Sequence, residues 1–250
     1  MMNFNYNLAL RINLFNIPFK LNTKFMEKNS VNLKTDSFVT NPIYSKFDTK
    51  EMIEKIAVTN SRIQELLKEN NLTLTINDVE LENLKRGHLN DTRLIVSKIY
   101  SFLPEIIKQR VDIVHLQEAA LLHDYGKVLI PSKILNKKGK LTADELKIME
   151  LHSELGYELL KNKNLSEKTL NLIKYHHQNL KGNGYPRIDR NINYSIENQI
   201  LSIADKYSAL REKRCYKNAL AKYEALEIIA KDVNKGYISQ EVYTALIRSV

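Results

Sequence analysis

The chain has almost no cysteine: Cys215 stands alone among 250 residues. An internal disulfide is therefore excluded, which favours a reducing compartment. Long hydrophobic runs are also missing. No apolar stretch approaches the ~18 residues that a membrane span requires. Arg11 interrupts the apolar residues of the N-terminus before a signal-peptide core can form. The expected location is the cytoplasm, with no membrane partner. Repeats and low-complexity tracts are absent, and the first 50 residues are too few for a receiver or sensor module. Regulation is then expected from the short N-terminal segment, from oligomerisation or from a separate signalling protein partner.

What is present suits a globular protein. Hydrophobic residues make up 43% and charged residues 27%, too apolar for a disordered chain. At this length one good core, or a core and a small appendage, can form. The formal net charge is +9 and the sequence pI is about 9.3, which favours an anionic partner. The lysines are spread along helical stretches without a zinc-knuckle or aromatic RNA-binding signature, so nucleic acid is not expected. A small phosphate-bearing ligand fits the excess equally well.

Two regions differ in periodicity. In residues 1–47, Phe4, Tyr6, Leu8, Leu10, Ile12 and Leu14 alternate with mostly polar residues, the period of a half-buried strand. The phase slips at Phe15 and resumes with Ile17, Phe19 and Leu21, and a second weak strand falls around residues 37–44. A small β-containing arm or appendage of unknown role is expected there. Residues 48–250 read as a helical domain. Met52, Ile53, Ile56, Ile63, Leu66 and Leu67 form an apolar stripe that ends at Asn70 and Asn71. Thr142 and Glu145 form a capping box opening a helix to about Leu160. Ser166 caps the next helix, which ends in His176 and His177; further helices run from Ile196 to about Arg211, Tyr223 to Val233, and Ser239 to about Ile247.

The six histidines are His88, His115, His123, His152, His176 and His177. His123 and Asp124 follow an apolar helical run, with Gly126 read as a turn. A charged aspartate beside a histidine at a buried helix end is costly unless paired or metal-bound. A lone His-Asp pair is more often a hydrogen-bonded helix end than a metal site, and His115 has no partner pattern. As a set, however, His88, His123, Asp124, His152, His176, His177 and Asp205 exceed what one metal takes and suit two, with Asp124 as a bridge. Metals about 3.5–4 Å apart can activate a water and stabilise a phosphodiester oxygen during in-line attack. Adjacent helical residues point about 100° apart, so His176 and His177 can face one ion only where the helix ends.

His-Asp-x-Gly-Lys at 123–127, His152, His-His-x-x-x-x-Gly-x-Gly-Tyr-Pro at 176–186 and the segment IADKYSALREKRCYKNAL at 203–220 together resemble the HD-GYP family, a branch of the HD metal-dependent phosphohydrolases. The resemblance covers roughly Leu84 to the C-terminus. It implies a mainly α, HD-type helical bundle that hydrolyses cyclic di-GMP to a linear dinucleotide or GMP, using two divalent iron or manganese ions and a water activated between them. On the matching positions, His88, His123, Asp124 and Asp205 would hold one ion. His152, His176 and His177, with Asp124 bridging, would hold the other. Lys127 would reach one phosphate, and Arg214 and Lys217 the other; Gly182 and Gly184 would turn the loop, and Tyr185 and Pro186 would stiffen it beside the nucleotide.

Several positions depart from the family pattern. Gln178 stands where a Glu is usual, which implies a supporting contact to the metal ligands without the charge. Leu84 replaces the Glu that some members use for a third ion, Lys181 replaces an acidic residue, and Arg211-Glu212 replaces Thr-Ser. These departures keep two alternatives beside the phosphodiesterase: a catalytically weak cyclic di-GMP-binding or partner-binding module, and an HD phosphohydrolase of another nucleotide.

Overall fold

Asn60 divides the first apolar stripe into two helices. Its extended backbone closes α1 (Lys50–Thr59), and its side chain accepts the amide of Ile63 to open α2 (Ser61–Glu69). Ile53, Ile63, Leu66 and Leu67 are buried as the stripe predicts, whereas Met52 sits on the exposed face. The computed structural model describes residues 49–85, 90–187, 194–212 and 218–250. The period-two segment of residues 1–47 lies outside the described residues, as do His88, Arg214 and Lys217. Among the described residues there is no strand, in keeping with the expected helical bundle.

The chain continues through α3 (Asp78–Lys85), α4 (Asn90–Ser101), α5 (Glu105–Lys108) and α6 (Ile113–Leu122). A 3-10 helix (Tyr125–Leu129) and the short α7 (Ser132–Leu135) lead to α8 (Ala143–Leu160) and α9 (Glu167–Tyr175). The described part closes with α10 (Ile196–Arg211), α11 (Lys222–Asn234) and α12 (Gln240–Ser249). None of these helices is long and apolar enough to cross a membrane.

The caps lie where the sequence places them. Thr142 Oγ1 accepts the amide of Glu145 at 3.2 Å while Glu145 returns a carboxylate to the Thr142 amide at 2.7 Å. Ser166 Oγ accepts the Thr169 amide at 3.0 Å. Such caps each contribute about 1 kcal/mol by satisfying amides that the helix itself leaves open. Packing supplies more. In α6, Leu116, Ala119, Ala120, Leu121 and Leu122 are all buried, the pattern of a helix enclosed on most of its faces. It is flanked by α4, α9 and α10, and α4 also carries α12. Ile99, Ile173, Ile200 and Ile203 belong to the same core. Enclosure of α6 fixes its C-terminal end, and that end carries His123.

Candidate metal centre

His123 caps α6, and its Nδ1 lies 2.9 Å from the Ala120 carbonyl, three residues back. The same local bond recurs twice. His152, inside α8, places Nδ1 2.7 Å from Met149 O, and His176, capping α9, places Nδ1 2.6 Å from Ile173 O. A carbonyl only accepts, so each Nδ1 carries a proton, and wherever the ring is neutral its Nε2 presents a lone pair. The arrangement fixes both tautomer and ring direction with backbone atoms alone.

Those lone pairs converge. His152 Nε2 lies 3.3 Å from His176 Nε2, and His177 Nε2 lies 3.2 Å from His152 Nε2. Neither nitrogen of the His152–His176 contact has a hydrogen to donate. Asp124 Oδ1 stands 3.5 Å from His152 Nε2, and His123 Nε2 stands 3.5 Å from Asp124 Oδ2 and 3.4 Å from Asp205 Oδ1. Two groups form within ligand reach: His152, His176 and His177, and His123, Asp124 and His176. The resemblance implies His176 as a ligand of one ion; here it belongs to both groups, with its ring 5.0 Å from that of His123 and 4.0 Å from that of His177.

The electrostatics match a cation site. Burial drives His152 down to about 4 and His176 down to about 3, with neighbouring imidazoles adding to the effect on His176. Burial likewise holds His177 well below its ordinary value. Burial opposes ionisation of Asp124, yet Lys127 and the surrounding histidines outweigh it and hold the carboxyl well below the usual range. Asp205 is also held low, because His123 outweighs its burial; burial presses His123 down in turn, but Asp124 and Asp205 together outweigh it and raise it. His123 Nε2 and Asp124 Oδ1 are buried with no hydrogen-bond partner. Orphaned buried atoms of this kind are expensive. A divalent cation satisfies lone pairs of this imidazole and carboxylate set where no proton can. The residues present therefore fit a metal.

Two glycines make the approach possible. Gly126 falls inside the 3-10 helix rather than at an open turn, and a Cβ there would lie 2.0 Å from His152 O and 2.4 Å from Gly156 N. The 3-10 helix and α8 thus touch backbone to backbone, which brings Asp124 to His152. Gly156 was not legible as a site residue; its one signal is glycine in a helix interior, where it costs about 1 kcal/mol against alanine. Gly184 lies flat on the histidine pair, its added Cβ only 2.2 Å from His177 O. Gly182 supplies the turn, with φ +69°. Tyr185 then stacks on His177, with ring centroids 4.5 Å apart at 30°. Lys127 Nζ lies 2.6 Å from Asp124 Oδ2. Gln178 turns both polar atoms toward the loop, to Gly184 and Pro186, instead of toward a metal ligand. His115 has a partner after all, Asp112 Oδ2 at 2.7 Å, well apart from the cluster in role.

A sequence profile for the HD domain family matches residues 106–242. The chain belongs to this family. Two curated relatives of the HD domain agree with the motif resemblance. A cyclic di-GMP phosphodiesterase of Thermotoga maritima is 34% identical over 146 residues, 58% of this chain and 39% of that protein. A 3'3'-cGAMP-specific phosphodiesterase 2 of Vibrio cholerae is 40% identical over 105 residues, 41% of this chain and 20% of that protein. The chain therefore spans well under two thirds of the length of these relatives. Among solved structures, an HDG"Y"P protein from Bdellovibrio bacteriovorus shares the fold, with a TM-score of 0.52 and 18% identity over 82% of this chain and 64% of that one.

Proposed function

We propose that residues 48–250 form a metal-dependent phosphodiesterase that hydrolyses cyclic di-GMP to a linear dinucleotide, GMP or both. The observation that carries this reading is the meeting of buried Nε2 lone pairs and an orphaned Asp124 oxygen at one point. His123, Asp124 and Asp205, with His88, would hold one divalent ion, and His152, His176 and His177 with Asp124 the other. Iron or manganese suits this mixture of imidazole and carboxylate. Bound divalent metal supplies Lewis acidity toward a phosphoryl oxygen and lowers the pKa of a water.

The chain's own groups do the rest. The backbone carbonyls of Ala120, Met149 and Ile173 hold three imidazoles in the donor tautomer. Lys127 places a positive charge beside Asp124, where it offsets phosphoryl charge that grows during in-line attack. Arg214 and Lys217 are proposed to hold the second phosphate. Tyr185 and the 182–186 turn wall the nucleotide side. The relatives named for cyclic di-GMP and for 3'3'-cGAMP support a cyclic dinucleotide as the substrate class.

The test is turnover by the purified chain, with metal content measured on the same sample. Cyclic di-GMP should be cleaved when Mn²⁺ or Fe²⁺ is present and spared after chelation. Absence of cleavage with either ion at high protein concentration overturns the reading. Preferential cleavage of 3'3'-cGAMP in a parallel panel would keep the reaction and replace the substrate.

A further inference from the structure

We propose that Gln178 is a positioning residue for the substrate side of this centre: its amide clasps the 182–186 turn so that Tyr185 is laid on His177. The role rests on the site being the one described above. Gln178 is buried at 2% exposure. Its Nε2 donates to the Pro186 carbonyl at 2.6 Å, and its Oε1 accepts the Gly184 amide at 3.1 Å. The partners themselves dictate which way the amide faces, since a carbonyl needs a donor and an N–H needs an acceptor.

The clasp closes over residues that carry the site. Gly184 presses on His177 O and on Gln178 Cα, where its added Cβ would sit 2.2 and 2.7 Å away. The Tyr185 amide points to His177 O at 3.4 Å, and the Tyr185 ring stacks on the His177 imidazole. On the other side of the loop, the Leu180 amide donates to Tyr237 O at 3.0 Å. Gln178 thus ties both ends of the Gly-Tyr-Pro turn to the chain immediately after the histidine pair. Only a group with one donor and one acceptor at this spacing serves both contacts. A carboxylate keeps the Gly184 bond but sets oxygen against the Pro186 carbonyl, and leucine of similar volume keeps neither.

The experiment compares the metal-loaded 250-residue chain with Gln178→Glu and Gln178→Leu by three readouts. They are amide exchange of segment 179–187, bound metal per chain, and the KM and kcat for cyclic di-GMP. In Gln178→Leu, exchange of the segment should accelerate roughly tenfold or more, the size expected when a buried hydrogen bond is lost. Gln178→Glu should accelerate it less, because Gly184 keeps its acceptor. In both, KM should rise more than kcat falls, with metal content unchanged. The proposal is overturned by a drop in metal content without faster exchange, or by unchanged exchange and unchanged KM. If the wild-type chain cleaves no cyclic di-GMP, the substrate assignment fails, and exchange with metal content still decides the part played by Gln178.

Discussion

Two clusters in this protein are built from the same chemistry, imidazole and carboxylate, and they end in opposite states. At the base of α6, Asp112 caps the helix through the Val114 and His115 amides and also meets the His115 ring at 2.7 Å. The Asp112 amide donates to Glu197, whose carboxylate lies 2.7 Å from Lys168. Each of these carboxylates has a donor facing it. At the other end of α6, His123 Nε2 and Asp124 Oδ1 have none, and the Nε2 atoms of His152 and His176 face each other without a proton between them. The first cluster is complete as protein; the second leaves buried lone pairs that a cation would satisfy. Satisfaction of polar atoms, rather than residue type, separates the two sets of histidines here.

The strongest challenge to that contrast is Asp124→Asn. It keeps the shape but removes the shared charge, so bound metal should be lost and kcat/KM should fall on the order of 10³-fold or more, with helical circular dichroism preserved. Activity within tenfold of wild type would remove the metal reading from this cluster. Next in size is ion addition itself. Mn²⁺ at 100 times its dissociation constant should raise unfolding stability by about 2.7 kcal/mol, seen as a higher Tm, and should not do so in His152→Gln.

The structural cluster makes the smaller predictions. Burial pushes the Glu197 carboxyl up, but the hydrogen bond from Lys168, with others, outweighs it and holds the group below the ordinary range. A depressed carboxyl contributes stability above its unfolded pKa of about 4.3 and loses it as pH falls through the folded value. Glu197→Gln should therefore cost roughly 1–3 kcal/mol at pH 7 and flatten the fall in urea midpoint on acidification, leaving metal content untouched. Asp112→Ala should cost about 1 kcal/mol as a lost cap, and His115→Gln less than about 1 kcal/mol as an exposed pair, both read by urea unfolding. Loss of bound metal in His115→Gln would erase the distinction between the clusters.

Local signals were the legible ones. The capping box at Thr142 and Glu145, the Ser166 cap and the α10 span lie within a residue or two of where the pattern sets them, because caps act within one turn of chain. The histidine and aspartate set was legible by type, and His123, Asp124, His152, His176, His177 and Asp205 do come together. Contacts between distant segments were not legible. Gly126 reads as a turn because glycine usually signals one, whereas its neighbour in space, Gly156, lies thirty residues on. Gln178 reads as a partner of the metal ligands because it follows His177, but side-chain direction at a helix end depends on the loop that returns over it. The sharing of His176 by both ligand groups likewise needs the relative placement of α6, α8 and α9, which no periodicity encodes.

The backbone contact between Gly126 and α8 also sets a lifetime. Asp124 and His152 are held by the two chains that meet there, with no flexible side chain between them to absorb a displacement. Any fluctuation that opens this seam moves Asp124 away from His152, and any closure brings the two back together. The approach of these two side chains therefore lasts as long as that seam stays shut, and it forms when the 3-10 helix docks on α8.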